Sequence, residues 1–288
     1  MFNFIEHRKI WYIISLLIIL PGLFSMITRG LNLGIDFTGG NLVEVQMEQS
    51  VQIEQMREVV EDLGFAAANN IQESGTSAYI IRTRELTEEE SGTLISTLGQ
   101  ELGEVSLLRN ERVGPVVGKE LATNAIIALT LAAVLMMVYI TFRFEFKQGV
   151  VTLVALGHDL LVVLGIFSIF QIEVDSAFVA AILTIIGYSI NDKIIIFDRV
   201  RENSRIRKKG ESLPDLVNIS LWQTVVRSIN TGMSVIFVLI CLYFLGGTTL
   251  QTFVLALLIG VVIGMYSSIF TASPLWVDLK LMEKKTAK

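Results

Sequence analysis

Six apolar segments, each long enough to cross a lipid bilayer, constrain the fold of this chain more than any other feature of its sequence. They cover about residues 10–28, 121–142, 149–170, 177–197, 225–245 and 250–273. A membrane-spanning helix needs roughly 20 apolar residues. Only 18% of the 288 residues are charged and the mean hydropathy is +0.61, which excludes an ordinary soluble domain. The sequence therefore predicts an α-helical polytopic membrane protein with six transmembrane helices.

The charges around these segments predict their orientation. The first segment follows a basic flank and has no small-residue cleavage site, so we predict an uncleaved span rather than a signal peptide. Basic residues follow the second, fourth and sixth segments: Arg143, Lys147, Arg199, Arg201, Arg205, Arg207, Lys208, Lys209, Lys280, Lys284, Lys285 and Lys288. The opposite connections, QIEVDS and GGTTLQ, contain no Lys or Arg. Because cytoplasmic loops carry excess positive charge, both termini are predicted to be cytoplasmic.

These boundaries divide the chain into four regions. Residues 1–29 form the cytoplasmic N-terminus and first helix, residues 30–120 an extracytoplasmic domain, residues 121–273 the other five helices, and residues 274–288 a cytoplasmic tail. The basic cytoplasmic loop at residues 198–224 is interpreted as an orientation signal rather than a lipid or nucleic-acid site. The extracytoplasmic region has sixteen acidic and six basic residues, which argues against a nucleic-acid partner.

The extracytoplasmic region has the alternating and amphipathic segments of a small α/β domain. Strands and helices are predicted in the order 42–47, 51–63, 69–72, 78–83, 87–102 and 105–113. Thr87 and Glu90 form a capping box at the start of the second helix. The order βαββαβ is that of a ferredoxin-like domain. Since the region shows no nucleotide-binding loop, metal-ligand cluster or nucleophile pattern, we predict no enzymatic activity, no cofactor and no metal.

The fourth apolar segment carries Asn191 and Asp192 inside what otherwise is a membrane-spanning helix. A central Asp costs about 2.5–3.5 kcal/mol to insert, so such acids usually face partners, water or a transported ion. At helical spacing they share one broad face with the other polar residues of this region, Thr184, Tyr188 and Asp198. Lys193 is predicted to point elsewhere and to reach the cytoplasmic surface, so its replacement by serine is expected to be mild.

The fifth segment has a matching polar edge at helical spacing. Its residues are Arg227, Asn230, Thr231 and Ser234. A buried ion pair between Asp192 and Arg227 that takes part in transport is one interpretation of the two polar edges. A static salt bridge or an interfacial arginine is the other, and the spacing alone does not decide between them.

The third segment places His158 and Asp159 near its middle, about ten residues from either end. Asp159 is therefore predicted either to exchange a proton or to join helices through hydrogen bonds. The pair lacks HExxH spacing and a nearby cysteine cluster, which argues against a metal site. Small residues that allow neighbouring helices to approach closely are predicted at Gly157, Gly165, Gly260 and Gly264.

Five motifs connect these features: LGIDFTGG, VGPVVGKEL, GHD, GYSINDKIIIFDRVREN and QTVVRSINT. Together they resemble the SecF family, whose members are the smaller membrane subunits of the SecDF accessory complex in bacterial protein export. The resemblance extends from Leu31 to Pro274. In the middle of the extracytoplasmic domain the resemblance lies only in the pattern of the sequence, not in specific motifs.

The resemblance implies membership of the resistance-nodulation-division superfamily, a place in the bacterial cytoplasmic membrane, and use of the proton-motive force to move preproteins. It implies SecD, the SecYEG channel, preprotein and membrane lipid as partners. Asp192 and Arg227 match an acid and an arginine implicated in proton conduction, and Asp159 matches the acid of the third-span motif. His158 and Asn191 complete the predicted relay. Lys193 departs from the small polar residue expected in many relatives.

Two other functions stay open on the sequence. A proton-driven exporter of small molecules would need a lined pocket in the extracytoplasmic domain. A passive assembly scaffold would use the intramembrane charges only for structure.

Overall fold

A computed structural model of the chain describes residues 2–65, 71–74, 76–206 and 210–286, apart from the side chains of residues 248–249 and 284–286. Its helices are α1 (Arg8–Thr28), α2 (Ile35–Thr38), α3 (Ile53–Asp62), α4 (Glu88–Leu102), α5 (Pro115–Arg143), α6 (Phe146–Phe170), α7 (Ser176–Arg205), α8 (Leu213–Leu245), α9 (Thr248–Ser267), a π-helix (Ser268–Ala272) and α10 (Ser273–Thr286). Its strands are β1 (Asn32–Leu33), β2 (Gly40–Met47), β3 (Ile71–Glu73), β4 (Ala78–Thr83), β5 (Val105–Val113) and β6 (Glu173–Val174).

The chain forms two compact units, residues 33–126 and a membrane unit of residues 1–32 with 127–288. Among the described residues, six helical stretches are long and apolar enough to cross a membrane, which confirms the predicted number of spans. They are Arg8–Thr28, Pro115–Arg143, Phe146–Phe170, Ser176–Arg205, Leu213–Leu245 and Leu250–Glu283. The helices extend beyond the apolar segments. Residues 198–205 and 213–224 of the predicted basic loop are therefore helical, while Arg207, Lys208 and Lys209 lie outside the described residues.

Local signals fix the N-terminal ends of α7 and α8. The α8 helix begins at the N-cap Ser212, whose hydroxyl accepts a hydrogen bond from the Asp215 N–H at 3.2 Å. Pro214 occupies one of the first two helical positions, where its missing N–H costs nothing. At the other end of the preceding helix, Asp175 caps α7 by accepting from the Phe178 N–H at 2.7 Å.

The third, fourth and sixth spans are the most buried of the six spans. In each, 50–56% of the most apolar window is buried, against 17% or less in α1, α5 and α8. The predicted site residues of the third and fourth spans therefore lie on the helices with the least access to lipid. The last span is not a regular α-helix, because the π-helix Ser268–Ala272 separates α9 from α10.

Close helix approach occurs at some of the predicted glycines. Gly165 of α6 packs directly on Gly22 of α1, since a Cβ on Gly22 would lie 2.7 Å from the Gly165 Cα. Within the described residues of this chain no neighbouring helix approaches Gly157 closely, so its predicted packing role stays a prediction. A Cβ built there meets no described atom within 4 Å.

The unit of residues 33–126 contains a four-stranded antiparallel sheet in the order β3-β4-β2-β5. The elements follow one another as β2-α3-β3-β4-α4-β5. Of the strand predicted at residues 69–72, Asn69 and Asn70 lie outside the described residues. Side chains from the strands and both helices share one core, formed by Val43, Val45, Met47, Val51, Met56, Val59, Val60, Phe65, Ile71, Tyr79, Ile81, Leu86, Leu94 and Leu98.

The predicted capping box at the start of α4 is confirmed. The Thr87 hydroxyl accepts from the Glu90 N–H at 3.2 Å, and the Glu90 carboxylate accepts from the Thr87 N–H at 2.8 Å. The Arg84 guanidinium also donates to Glu90 at 2.6 Å. These hydrogen bonds, with that from Arg84 as the largest cause, lower the pKa of Glu90 to about 2.

This lowered pKa predicts a pH dependence for the small unit. Because the pKa of Glu90 falls on folding from 4.5 to about 2, its contribution to stability is complete above pH 4.5. It is lost as the pH falls through the window from 4.5 to about 2. The Glu90→Gln variant should therefore melt at a lower temperature at pH 7 and depend less on pH inside this window.

The measurement is the melting temperature of a soluble fragment of residues 40–113, which contains this whole core. Glu89→Gln, at an exposed neighbouring position, is the matched control and should behave as wild type. An equal pH slope in Glu90→Gln and wild type would contradict the assignment.

Candidate functional site

Polar residues from three helices meet in the most buried part of the membrane unit. Asp159 comes from α6, Ser189 and Lys193 from α7, and Ser267 from α9. Asp159 and both serines are fully buried, and Lys193 is 1% exposed. A buried polar group that lacks a partner costs a few kcal/mol, so these side chains must satisfy one another.

The four side chains, which we call the lysine cluster, form a closed hydrogen-bond network. The Lys193 Nζ donates to Asp159 Oδ2 at 3.2 Å, to Ser189 Oγ at 2.5 Å and to Ser267 Oγ at 3.0 Å. An ammonium has three N–H groups, and each has an acceptor here. Both serine hydroxyls donate in turn to Asp159 Oδ2, at 2.6 Å from Ser189 and 2.9 Å from Ser267. The cluster is therefore balanced in charge and in hydrogen bonds.

The prediction that Lys193 reaches the cytoplasmic surface is wrong. Lys193 lies one helical turn after Ser189 and so shares its face of α7, which points at Asp159. The carboxylate offers the ammonium a partner inside the protein, so the side chain has no need to extend toward water. Helical spacing identifies the face of a residue, and it does not identify the helix that covers that face.

Close packing of α9 on α7 brings the two serines together. A Cβ on Gly264 would lie 3.2 Å from the Ser189 side chain, and one on Gly260 would lie 2.3 Å from the Ile185 side chain. This confirms the predicted packing role of Gly260 and Gly264. Ser189 and Ser267 were not among the site residues predicted from the sequence. The available signal was the spacing of four between Ser189 and Lys193.

His158 joins the cluster through the other carboxylate oxygen. Its Nδ1 lies 3.1 Å from Asp159 Oδ1, and its ring stacks on Tyr266 with a centroid distance of 6.0 Å. The Nε2 atom is buried and has no hydrogen-bond partner among the described residues. His158 therefore has one ring nitrogen available beside the cluster.

Asp192 is buried next to the cluster but does not take part in it. It is 3% exposed, and its Oδ2 has no hydrogen-bond partner within the described part of the chain. The Ser228 side chain of α8 lies close by, yet its hydroxyl makes no hydrogen bond of ordinary geometry to any described residue. The charge of Asp192 is thus much less compensated than that of Asp159.

The structure does not bring Asp192 and Arg227 into an ion pair. Arg227 is exposed, and none of the ion pairs between described residues joins it to Asp192. Asn191 is exposed as well. The predicted polar faces of the fourth and fifth spans are therefore largely open at the surface of this chain. The exposed residues, which we call the polar edge, are Thr184, Asn191, Arg227, Asn230, Thr231 and Ser234.

Within the described ranges, no group of three His, Cys, Asp or Glu side chains could hold a metal ion. The fold and the cluster define a class of protein, namely a multi-pass membrane protein whose central helices enclose ionisable residues. In membrane proteins such residues mark ion pathways and proton relays.

Comparison with known families identifies the chain further. The family described as protein export membrane protein SecD/SecF, C-terminal, matches residues 94–282, and the SecD/SecF GG motif matches residues 24–51. The chain therefore belongs to the SecD/SecF family of protein export membrane proteins.

Curated relatives match the chain over nearly its whole length. It is 44% identical to the protein translocase subunit SecF of Thermobaculum terrenum, covering 96% of this chain and 94% of that protein. It is 41% identical to SecF of Sebaldella termitidis, covering 97% and 92%. The crystal structure of SecDF from Thermus thermophilus, a translocon-associated membrane protein, matches with a TM-score of 0.90 at 33% identity. That match covers 97% of this chain and 39% of the longer SecDF chain.

Proposed function

We propose that this chain is a membrane subunit of the Sec protein-export machinery and works with SecD to couple the proton-motive force to preprotein movement through SecYEG. A role in Sec protein export rests on the near full-length likeness to proteins named protein translocase subunit SecF. The intramembrane acids support the coupling to protons, because proton relays use such residues. The subunit has no enzymatic activity of its own in this proposal.

The polar edge supports SecD as the partner. Arg227 is exposed on α8, and charged side chains within membrane spans usually face protein or water rather than lipid. The solved SecDF relative contains the equivalent of this chain as 39% of one longer polypeptide. We therefore propose that helices of SecD pack against the polar edge.

Within the proposed relay, Asp192 is the acid that takes and releases the proton. Asp159 has a lysine and two serines as partners, whereas Asp192 Oδ2 has none among the described residues. A carboxyl group that must take up and release a proton cannot be held permanently in its charged form by fixed partners. Asp192 meets this condition better than Asp159. Arg227 would stabilise the ionised form of Asp192 when the subunits close on it, and Asn191 and His158 would flank the path.

The driving energy is adequate for a conformational change. One proton that moves down 100 mV releases roughly 2.3 kcal/mol, which shifts a two-state equilibrium about fiftyfold. Such a shift is sufficient to bias the movement of a domain, although it is small beside the energy of unfolding a protein.

We further propose that residues 33–126 contain a ferredoxin-like domain on the outer side of the bacterial cytoplasmic membrane. The order β3-β4-β2-β5 with all neighbours antiparallel supports this fold, because two split βαβ units generate that order. The positive-inside charge pattern supports the location and cytoplasmic termini.

Cysteine labelling tests this orientation. In a Cys241→Ser background, Ser96→Cys on α4 should react with a membrane-impermeant maleimide added outside the cell membrane. Arg205→Cys at the end of α7 should react only after the membrane is opened. Both positions are exposed, so access depends on the side of the membrane. The opposite pattern at either position would contradict the orientation.

Two assays separate the proposal from its alternatives. Export that a protonophore inhibits, in vesicles that depend on this chain, would exclude a passive scaffold. Co-purification of the chain with SecD would favour the translocase over an exporter of small molecules. Export that is indifferent to the protonophore would contradict proton coupling.

A further inference from the structure

We propose that the ammonium of Lys193 is a built-in cation that fills a monovalent-cation site between α6, α7 and α9, and that it makes this subunit independent of sodium. The inference rests on the proposed function, because it names the ion to which the membrane unit can respond. Its test does not require translocation, so either proposal can fail without the other.

The oxygen atoms around the ammonium form the kind of ligand set that hard cations bind. The Lys193 Nζ contacts Asp159 Oδ2, Ser189 Oγ and Ser267 Oγ within 3.2 Å, and the Ser189 carbonyl oxygen lies at 3.4 Å. Carboxylate, hydroxyl and carbonyl oxygens suit cations that prefer hard ligands. One carboxylate supplies one negative charge, so the site matches a single positive charge.

These oxygens come from three helices and surround one buried position. Asp159, Ser189 and Ser267 are all fully buried. A carboxylate and two hydroxyls without a cation would leave one uncompensated charge there, which is strongly unfavourable. The site is therefore built to hold a cation, and the lysine is the cation that occupies it.

The backbone beside the site is irregular. The π-helix begins immediately after Ser267, and the Gly264 carbonyl accepts a hydrogen bond from the Ser268 hydroxyl at 2.7 Å. Single π-helical turns often occur at functional sites, and interrupted helices supply carbonyl ligands for ions in transporters. The position of this break supports an ion site rather than an ordinary salt bridge.

A tethered ammonium excludes a free ion. Lys193 is held by its own backbone, so its local concentration at the site far exceeds that of dissolved sodium. The charged or titratable groups around it are Asp159, the adjoining His158 on the other carboxylate oxygen, and Asp192, its chain neighbour. Because the lysine does not exchange with ions in solution, sodium binding at this site cannot drive transport. Proton uptake and release at Asp192 is then the event that couples the membrane potential to movement.

The test is thermal melting of the purified full-length chain in detergent, with NaCl compared with choline chloride at equal ionic strength. The wild type should melt at the same temperature in both salts. Lys193→Ala removes the ammonium and its stem, so it should melt lower in choline. In about 100 mM NaCl its melting temperature should rise by roughly 4 °C, as expected when the sodium concentration is about a hundred times the Kd of the site. The double variant Lys193→Ala/Asp159→Asn should show no such recovery.

Two results would overturn the proposal. One is a sodium-specific rise in the wild-type melting temperature, because the site would then be open to sodium. The other is a folded Lys193→Ala variant that does not respond to sodium. If that variant does not accumulate, Lys193→Ser replaces it, and binding of radioactive sodium to the wild type decides between the outcomes. No bound sodium supports the built-in cation, and bound sodium that Asp159→Asn abolishes contradicts it.

Discussion

Replacing Lys193 with methionine is expected to destabilise the membrane unit by about 3–5 kcal/mol. Methionine keeps most of the length of the side chain, but it leaves the Asp159 carboxylate fully buried with no counter-charge. It also removes three hydrogen bonds that the ammonium donates. The mild effect predicted from the sequence for Lys193→Ser is therefore wrong in its premise, because the side chain is not at the surface.

Unfolding of the purified chain in mixed micelles with increasing SDS measures this effect. Lys280→Met is the matched control, since Lys280 pairs with Glu145 at 2.7 Å but is 27% exposed. Exposed ion pairs contribute about 0–1 kcal/mol, so the control should be close to wild type. Adding Asp159→Asn to Lys193→Met should recover part of the loss, because it removes the unpaired charge. Equal stability of Lys193→Met and Lys280→Met would show that the cluster is not the ion pair described above.

Features that depend on local sequence were predicted well. The number of spans follows from the length of the apolar segments, and the capping box follows from Thr87 and Glu90 alone. The strands Ala78–Thr83 and Val105–Val113 have the predicted bounds, because alternation and turn residues mark both ends. In each case the information lies within a few residues of the feature.

The arrangement of the site could not be predicted in the same way. The sequence places Asp192 and Arg227 on polar faces of consecutive spans, and the pairing of those faces depends on helix rotation and on other subunits. Gly260 and Gly264 predict that α9 packs closely on a neighbouring helix, but the sequence does not identify α7 as that helix or Ser267 as a partner of Lys193. That contact depends on Gly264 lying opposite Ser189, which is a property of the packed helices.

Replacing Asp192 with asparagine is expected to abolish the stimulation of export by the proton-motive force. Asparagine keeps the shape of the buried side chain and removes its ability to take and release a proton. Because Asp192 is not part of the lysine cluster, the amount of the variant and its association with SecD should remain close to wild type. Arg227→Ala should have a similar effect on export, since the ionised form of Asp192 would lose its proposed partner.

The matched control is Asp198→Asn on the same helix. Asp198 is 36% exposed and pairs with Arg143 and Arg201, so its replacement should leave proton-driven export close to wild type. A loss of export in both variants would indicate a general effect of charge on α7 instead of a relay at Asp192.

The most direct test of the account is export into inverted membrane vesicles, with and without an imposed proton-motive force, at matched abundance of wild type and Asp192→Asn. We predict that the proton-motive force accelerates export in wild type and leaves the Asp192→Asn rate unchanged from its unenergised value. An undiminished acceleration in Asp192→Asn would contradict the proposal that this carboxylate carries the proton, and it would favour a structural role for the intramembrane charges.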